Sequence, residues 1–254
     1  MAYPRKFAKK KVRLDELLIQ KGLFCDAEQV ARALIAKEVK LDDLYVSSPA
    51  LLVPPNAQIE IKSRKHYVSR GGYKLEAALR AFNYSPVGQK CIDIGSSTGG
   101  FTDCLLQHHA ASVACVDVNY GQLAWKLRQD SRVKVFERCN IKQASCAQLD
   151  GPFDLLVADL SFIGLASCVE YFVPLCNASS SFIGLIKPQF ESLHEETDRG
   201  VVTNPEVHAR VIDEVKAALE SYHFHVEGVC ESPLKGPAGN IEFLIYARYA
   251  GSLA

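Results

Sequence analysis

Hydrophobic positions recur with two different periods along this chain, and the change of period marks its organisation. Val12, Leu14, Leu17, Leu18 and Ile19 fall near helical spacing, with a stop at Lys21-Gly22. Asp26 is placed to cap a second helix over 27–37, with Val30, Ala31, Leu34 and Ile35 facing inward. Short strands are expected at 39–41, 44–46 and 58–61, and residues 47–56, with three prolines, read as a loop. This forms a small α+β unit over 12–62. A polar, basic junction follows at 63–67, and 1–11 form a basic tail. From residue 68 the pattern changes. A strand-like segment, a Gly71-Gly72 turn and a helix from Tyr73 lead into strands at 90–94, 112–116, 133–136, 155–158 and 181–186, with helical stretches between them. Such alternation predicts right-handed βαβ crossovers and a mostly parallel sheet covered on both faces. At the end, 225–230 and 241–247 flank a turn-rich loop with no helix, which predicts an antiparallel hairpin on the sheet's edge.

Composition agrees with one large domain plus a small appendage. The chain has 254 residues, 48% hydrophobic and 23% charged, ordinary for a soluble globular protein. Nine cysteines are scattered through apolar runs without CxxC spacing. Their odd number argues against a disulfide framework or a zinc site, and for reduced thiols in a cytoplasmic protein that binds no metal. No apolar run resembles a signal peptide or approaches the roughly 18 residues of a membrane span, so no membrane partner is expected. Charge is unevenly spread. Residues 1–74 carry 15 Lys and Arg against 8 Asp and Glu, and residues 75–254 carry 14 against 21. A basic front joined to an acidic body points to a polyanion such as nucleic acid, or to a solvated tail supplied by Arg5, Lys6, Lys9, Lys10 and Lys11.

The segment from Cys91 to Thr102 runs from an apolar strand into a glycine turn and a helix. It lacks the Gly-Lys-Ser/Thr of a phosphate-cradling loop, and Ser97 stands where a GxGxxG motif has its second glycine. An Asp two residues ahead of the first glycine suits S-adenosylmethionine, whose methionine amino group it can pair. The candidate cofactor loop is therefore Asp93, Gly95, Ser96, Ser97, Thr98, Gly99 and Gly100. A ligand-free strand–helix turn is the plain alternative. Asp117 ends the second strand, where an acid accepts hydrogen bonds from both ribose hydroxyls of a nucleoside. A nicotinamide dinucleotide would use the same residue. Asn140, after the third strand, is a candidate adenine contact. The terminal hairpin favours the class I methyltransferase fold over an ordinary dinucleotide fold.

Two resemblances extend this reading. Arg13-Leu14-Asp15-Glu16-Leu17-Leu18, Ala27 and Ala31-Arg32-Ala33-Leu34-Ile35 resemble the small RNA-binding module of a small-subunit ribosomal protein, pseudouridine synthases and tyrosyl-tRNA synthetases. That likeness implies that Arg13, Arg32 and Lys37 face RNA phosphates, with Arg64, Lys65 and Arg70 extending the set across the junction. Leu41-Asp42-Asp43 departs from the module's usual Val-Asn-Gly turn. Further on, Ser69-Arg70-Gly71-Gly72-Tyr73-Lys74-Leu75, the Asp93–Asp103 segment, Ala158-Asp159-Leu160-Ser161-Phe162-Ile163, Leu185-Ile186-Lys187-Pro188-Gln189-Phe190-Glu191 and Gly239-Asn240-Ile241-Glu242-Phe243-Leu244 resemble the TlyA family. These are 2′-O-ribose methyltransferases of ribosomal RNA with an FtsJ-like domain, sometimes called hemolysins.

The resemblance implies a class I Rossmann-like fold over 68–254, a seven-stranded sheet, S-adenosylmethionine as cofactor, and ribosomal RNA or a ribosomal subunit as partner. It places the catalytic set on Lys74, Asp159, Lys187 and Glu242, with Phe162 against the cofactor. Those residue types suit the chemistry, because a ribose hydroxyl must lose its proton as it attacks a methyl group. A lysine can stabilise the developing alkoxide or take the proton, and carboxylates can orient the lysines. Asp159 and Lys187 end parallel strands and Glu242 begins an antiparallel one, so all three converge on one sheet edge. Three function classes remain: ribose methylation, nicotinamide oxidoreduction, and a hemolysin-like or RNA-binding protein with a silent fold.

Overall fold

A computed structural model describes residues 11–61 and 66–251; Arg64, Lys65, most of the basic tail and most of the junction lie outside the described residues. The chain divides into two compact units, Met1–His66 and Tyr67–Ala254.

The first unit contains β1 (Val12–Arg13), α1 (Leu14–Gln20), α2 (Ala27–Ile35), β2 (Val39–Leu41), β3 (Leu44–Tyr45), β4 (Leu52–Val53) and β5 (Ile59–Ile61). β2 lies between β3 and β5, and β1 pairs antiparallel with β4. Val12 is therefore strand rather than helix, and the expected 47–56 loop contains β4. Two-residue strands are too short to show alternation, so only the pairing reveals them. Asp26 caps α2 as expected, accepting from the Gln29 amide at 2.8 Å. The helix buries Val30, Ala33 and Leu34, whereas Ile35 is 81% exposed. The inward stripe is thus rotated from the expected one, because Ala33 and Leu34 complete the i, i+3, i+4 face begun by Val30. Asp42 and Asp43 both have positive φ (46° and 66°) between the paired Leu41 and Leu44, the geometry of a two-residue type I′ hairpin turn. Asp tolerates this conformation better than most residues, so the departure keeps the turn.

The second unit comprises α3 (Gly71–Ala81), β6 (Lys90–Ile94), α4 (Gly100–Gln107), β7 (Ser112–Asp117), α5 (Trp125–Arg128), β8 (Val133–Glu137), β9 (Phe153–Ala158), β10 (Cys176–Ile186), α6 (Pro188–Glu191), α7 (Pro205–Ser221), β11 (Phe224–Glu231) and β12 (Phe243–Tyr249). Its seven-stranded sheet has the order β11-β12-β10-β9-β6-β7-β8. β12 runs antiparallel to both neighbours, and the other pairs are parallel. The hairpin forms as expected, but β12 is inserted beside β10 and only β11 occupies the edge. Alternate side chains serve two cores, as the strand period of two requires. Ile92, Ile94, Leu156 and Ala158 join one face with Phe182 and Phe224. Cys91, Leu155, Val157 and Leu185 join the other with Leu75 and Leu105. The chain leaves β6 toward β7 and later returns to its other side with β9. That reversal of strand order opens a crevice at the carboxyl ends of the strands.

Candidate active site

Two adjoining cavities occupy that crevice, of about 680 Å³ and about 280 Å³, and Gly95, Ser97, Asp159 and Lys187 line both. The first is bordered by Asp117, Asn140, Ile141, Leu160, Phe162 and Ile163. The second reaches Lys74, Asp93, Ser96, Thr98, Gly100 and Glu242. Backbone geometry creates the floor. Gly95 has φ +82°, and a Cβ there would lie 2.6 Å from the Asp159 carbonyl oxygen, so only glycine lets β6 and β9 approach closely beneath a ligand. Ser97 adopts φ +47° without being glycine, held by its amide donating to Asp117 at 2.8 Å. Gly99 lines neither cavity; at φ +91° it turns the chain into α4 against Leu123 and Leu127.

Asp93 is 1% exposed. One carboxyl oxygen accepts from the Thr102 amide (2.9 Å) and hydroxyl (2.6 Å), while Oδ1 is buried without a hydrogen-bond partner among the described residues. Burial pushes this carboxyl up to about 7, against the hydrogen bonds from Thr102, and the neighbouring Asp159 adds to the rise. An orphaned carboxylate oxygen on a residue that lines a cavity is suited to a cationic amine. Thr102 stands within the motif on which the sequence reading rested but was not assigned a role. Asp117 accepts from the amides of Ser97 and Asn119, which orients its carboxylate at the wall of the larger cavity. Asn140 accepts from the Lys142 amide at 3.0 Å on the same wall. Phe162 has φ +70°, an uncommon conformation for a bulky residue, and is 88% exposed, with its ring centroid 5.8 Å from that of Phe190.

Two lysine–carboxylate pairs line the smaller cavity, one of them, Lys187 and Asp159, where it adjoins the larger. Lys74, on the first turn of α3, donates to Glu242, which precedes β12 and is fully buried. Lys187, after β10, lies 2.6 Å from Asp159 Oδ1 and donates to Ser161 Oγ at 3.1 Å. Ser161 is a partner that residue type alone did not single out. The loop before Glu242 is pinned by Asn240, which accepts from the Val202 amide and donates to the Gly200 carbonyl, both at 2.9 Å. The four expected residues therefore converge from α3, β9, β10 and β12.

The proposed RNA contacts are less concentrated. Arg13 forms two hydrogen bonds with Asp15 (3.0 and 2.6 Å), and Arg32 lies 3.5 Å from Glu28. Lys37 is exposed, and Arg70 is exposed at the start of α3, on the rim of the smaller cavity. Residues 12–61 carry five Lys and Arg but eight Asp and Glu, so the basic excess of the front end resides in its flanking segments.

Residues 67–249 match the FtsJ-like methyltransferase family. The chain belongs to that family. Within it, the methyltransferase is 39% identical over 242 residues to the 16S/23S rRNA (cytidine-2′-O)-methyltransferase TlyA of Mycobacterium tuberculosis, covering 94% of this chain and 90% of the relative. It is also 32% identical to Hemolysin A of Brachyspira hyodysenteriae, over 92% of this chain and 99% of that one. A solved structure from Streptococcus thermophilus, described as a candidate hemolysin, superposes on the methyltransferase with TM-score 0.73 at 38% identity, covering 96% of this chain and 90% of that one. These likenesses remove the oxidoreductase reading that Asp117 alone had allowed. Among the described residues, no helix is long and apolar enough to cross a membrane, and no cluster of His, Cys, Asp or Glu could hold a metal ion.

Proposed function

We propose that this methyltransferase transfers the methyl group of S-adenosylmethionine to the ribose 2′-hydroxyl of a cytidine in ribosomal RNA, acting on a ribosomal subunit in the cytoplasm. The observation that carries the reading is the meeting of Lys74–Glu242 and Lys187–Asp159 beside the unpartnered Asp93 oxygen. The names of the relatives supply the RNA class and the nucleoside.

The residues divide the work. Asp93 Oδ1 receives the cofactor's amino group, and Asp117 accepts from its ribose hydroxyls. Asn140 and Phe162 border the place for adenine, and the Gly95–Gly100 turn provides close backbone approach. When bound, the cofactor supplies an electrophilic methyl group on a sulfonium. Lys187 and Lys74 hold the incoming 2′-oxygen, so that negative charge developing there meets a positive group already in place. As the oxygen–methyl bond forms and the sulfur–methyl bond breaks, the hydroxyl proton leaves to water, with Lys187 and Lys74 stabilising the charge left on the oxygen. Asp159 and Glu242 aim the lysines and balance their charge before substrate arrives. In the front unit, Arg13, Arg32 and Lys37, with Arg64 and Lys65 of the junction and Arg70, contact phosphates and so position the RNA without reading its sequence. Mapping 2′-O-methylation on ribosomal RNA from a strain lacking the protein tests the reading: one or more sites should be unmethylated and should be restored by the intact gene but not by one encoding Lys187→Ala. A full complement of methylated sites in the deletion strain would sink it.

A further inference from the structure

A groove of about 500 Å³ lies beside the catalytic cleft, and the proposed function assigns it nothing. α3 forms one wall. Arg70, Tyr73, Ala77 and Arg80 fall on one stripe at i, i+3, i+7 and i+10, while Lys74 on the neighbouring stripe turns inward to Glu242. Pro233 and Leu234 form the facing wall, from the loop that leads into Glu242. The two walls therefore belong to the same segments that deliver the Lys74–Glu242 pair. Arg70 borders both the groove and the smaller catalytic cavity, so the two are neighbours on either side of one side chain.

We infer that this groove is the subsite for the nucleotide adjacent to the methylated one, holding its base against Tyr73, Pro233 and Leu234 and its phosphates against Arg70 and Arg80. The inference rests on the RNA-methyltransferase reading. An RNA strand that places one ribose at Lys74 and Lys187 must leave the cleft along the protein surface. Residues 67–254 carry 16 Lys and Arg against 21 Asp and Glu, so the unit as a whole offers phosphate no net attraction and local basic groups must supply it. In the groove two arginines border an apolar floor, with Glu76 as the one acid of its lining. Arg70 has no acidic partner among the described residues, and Arg80 reaches Glu76 only at 3.7 Å with its side chain 82% exposed. An unstacked base gains from an aromatic or guanidinium plane with apolar walls, and a phosphate gains from arginine. The combination of an aromatic ring, apolar walls and two arginines matches the base and the phosphates of a single-stranded nucleotide together.

The test uses ribosomal subunits purified from a strain lacking the protein, radiolabelled S-adenosylmethionine and the full-length chain. Ala77→Trp fills the groove from a half-buried position, and Arg80→Glu reverses charge at its far end. Both variants should raise KM for the subunit about tenfold or more, with kcat and the Kd for S-adenosylmethionine unchanged. The unchanged Kd shows that the fold and the cofactor cleft are intact; if Ala77→Trp loses it, Arg80→Glu decides alone. A KM within twofold of the unaltered protein would overturn the subsite while leaving the function standing. Failure of the unaltered protein to methylate any subunit would instead overturn the function, and the subsite with it.

Discussion

The two units use charge in opposite ways. In the front unit, Arg13, Arg32 and Lys40 each lie within 3.5 Å of an acid at or near the surface, and acids outnumber bases between residues 12 and 61. An exposed pair such as Arg32–Glu28 contributes about 0–1 kcal/mol and yields readily to a competing phosphate, whereas the Asp15 carboxylate that Arg13 holds is itself buried. In the methyltransferase unit the charges of the candidate site are withdrawn from solvent: the side chains of Lys74 and Glu242 are 9% and 1% exposed, and those of Lys187 and Asp159 11% and 24%. A buried pair is expensive to break because the survivor keeps its desolvation penalty. The contrast teaches that net charge along a chain locates neither a site nor its chemistry. Here the basic excess sits in segments flanking the front module, whereas the reacting centre lies in an acidic body.

The comparison can be broken first at its buried end. Glu242→Ala should destabilise the protein by about 3–5 kcal/mol, read as a lowered urea midpoint, and should abolish methyl transfer. An unchanged midpoint would mean that the Lys74 ammonium finds another partner. Lys187→Ala, at the more open pair, should lower kcat by at least about a hundredfold while calorimetry still shows cofactor binding.

Asp93 supplies a pH test. Its folded value of about 7 lies above its ordinary 3.8, so in the free protein its contribution to stability is full below about 4 and is lost as pH rises toward 7. In its proposed role, Asp93 meets the cofactor's amino group as the ionised carboxylate. Affinity for S-adenosylmethionine should therefore climb by up to about tenfold per pH unit below 7 and level off above it. Asp93→Asn should bind weakly with a flat profile, and an equally steep profile in that variant would assign the titration to another group.

At the exposed end, effects should be smaller. Replacing Arg13, Arg32 and Lys37 together should weaken RNA binding and reduce the salt slope by about one unit, because Arg13 and Arg32 begin in ion pairs. A fall of about three would show that all three meet phosphate without competition. The smallest effect belongs to Ile35→Ser, within about 0.5 kcal/mol, against about 2–5 kcal/mol for Leu34→Ala one position earlier.

Much of this was legible in the sequence because it is local or periodic. The βαβ alternation, the Asp26 cap, the strand-to-glycine turn at Asp93–Gly95 and the placement of Asp159, Lys187 and Glu242 at one sheet edge all follow from spacing and strand direction. The errors fell where locality ends. β1 and β4 each show only two residues, and their identity lies in the pairing of Val12 with Val53. Ile35 fits a helical stripe on paper, yet the core meets α2 at Ala33. Thr102 and Ser161 gain their roles from a buried carboxyl and a lysine that folding brings to them.

Sequence by itself determined the fold class and the strand-to-glycine turn, since residue type, order and period are properties of the chain, and the family resemblance singled out the four residues proposed as the catalytic set. Only the tertiary structure decided which lysine pairs with which carboxylate, that one Asp93 oxygen is left without a partner, and that the front module's arginines are already engaged. Those are outcomes of distance and desolvation, which exist only once residues as far apart as Lys74 and Glu242 share one low-dielectric site.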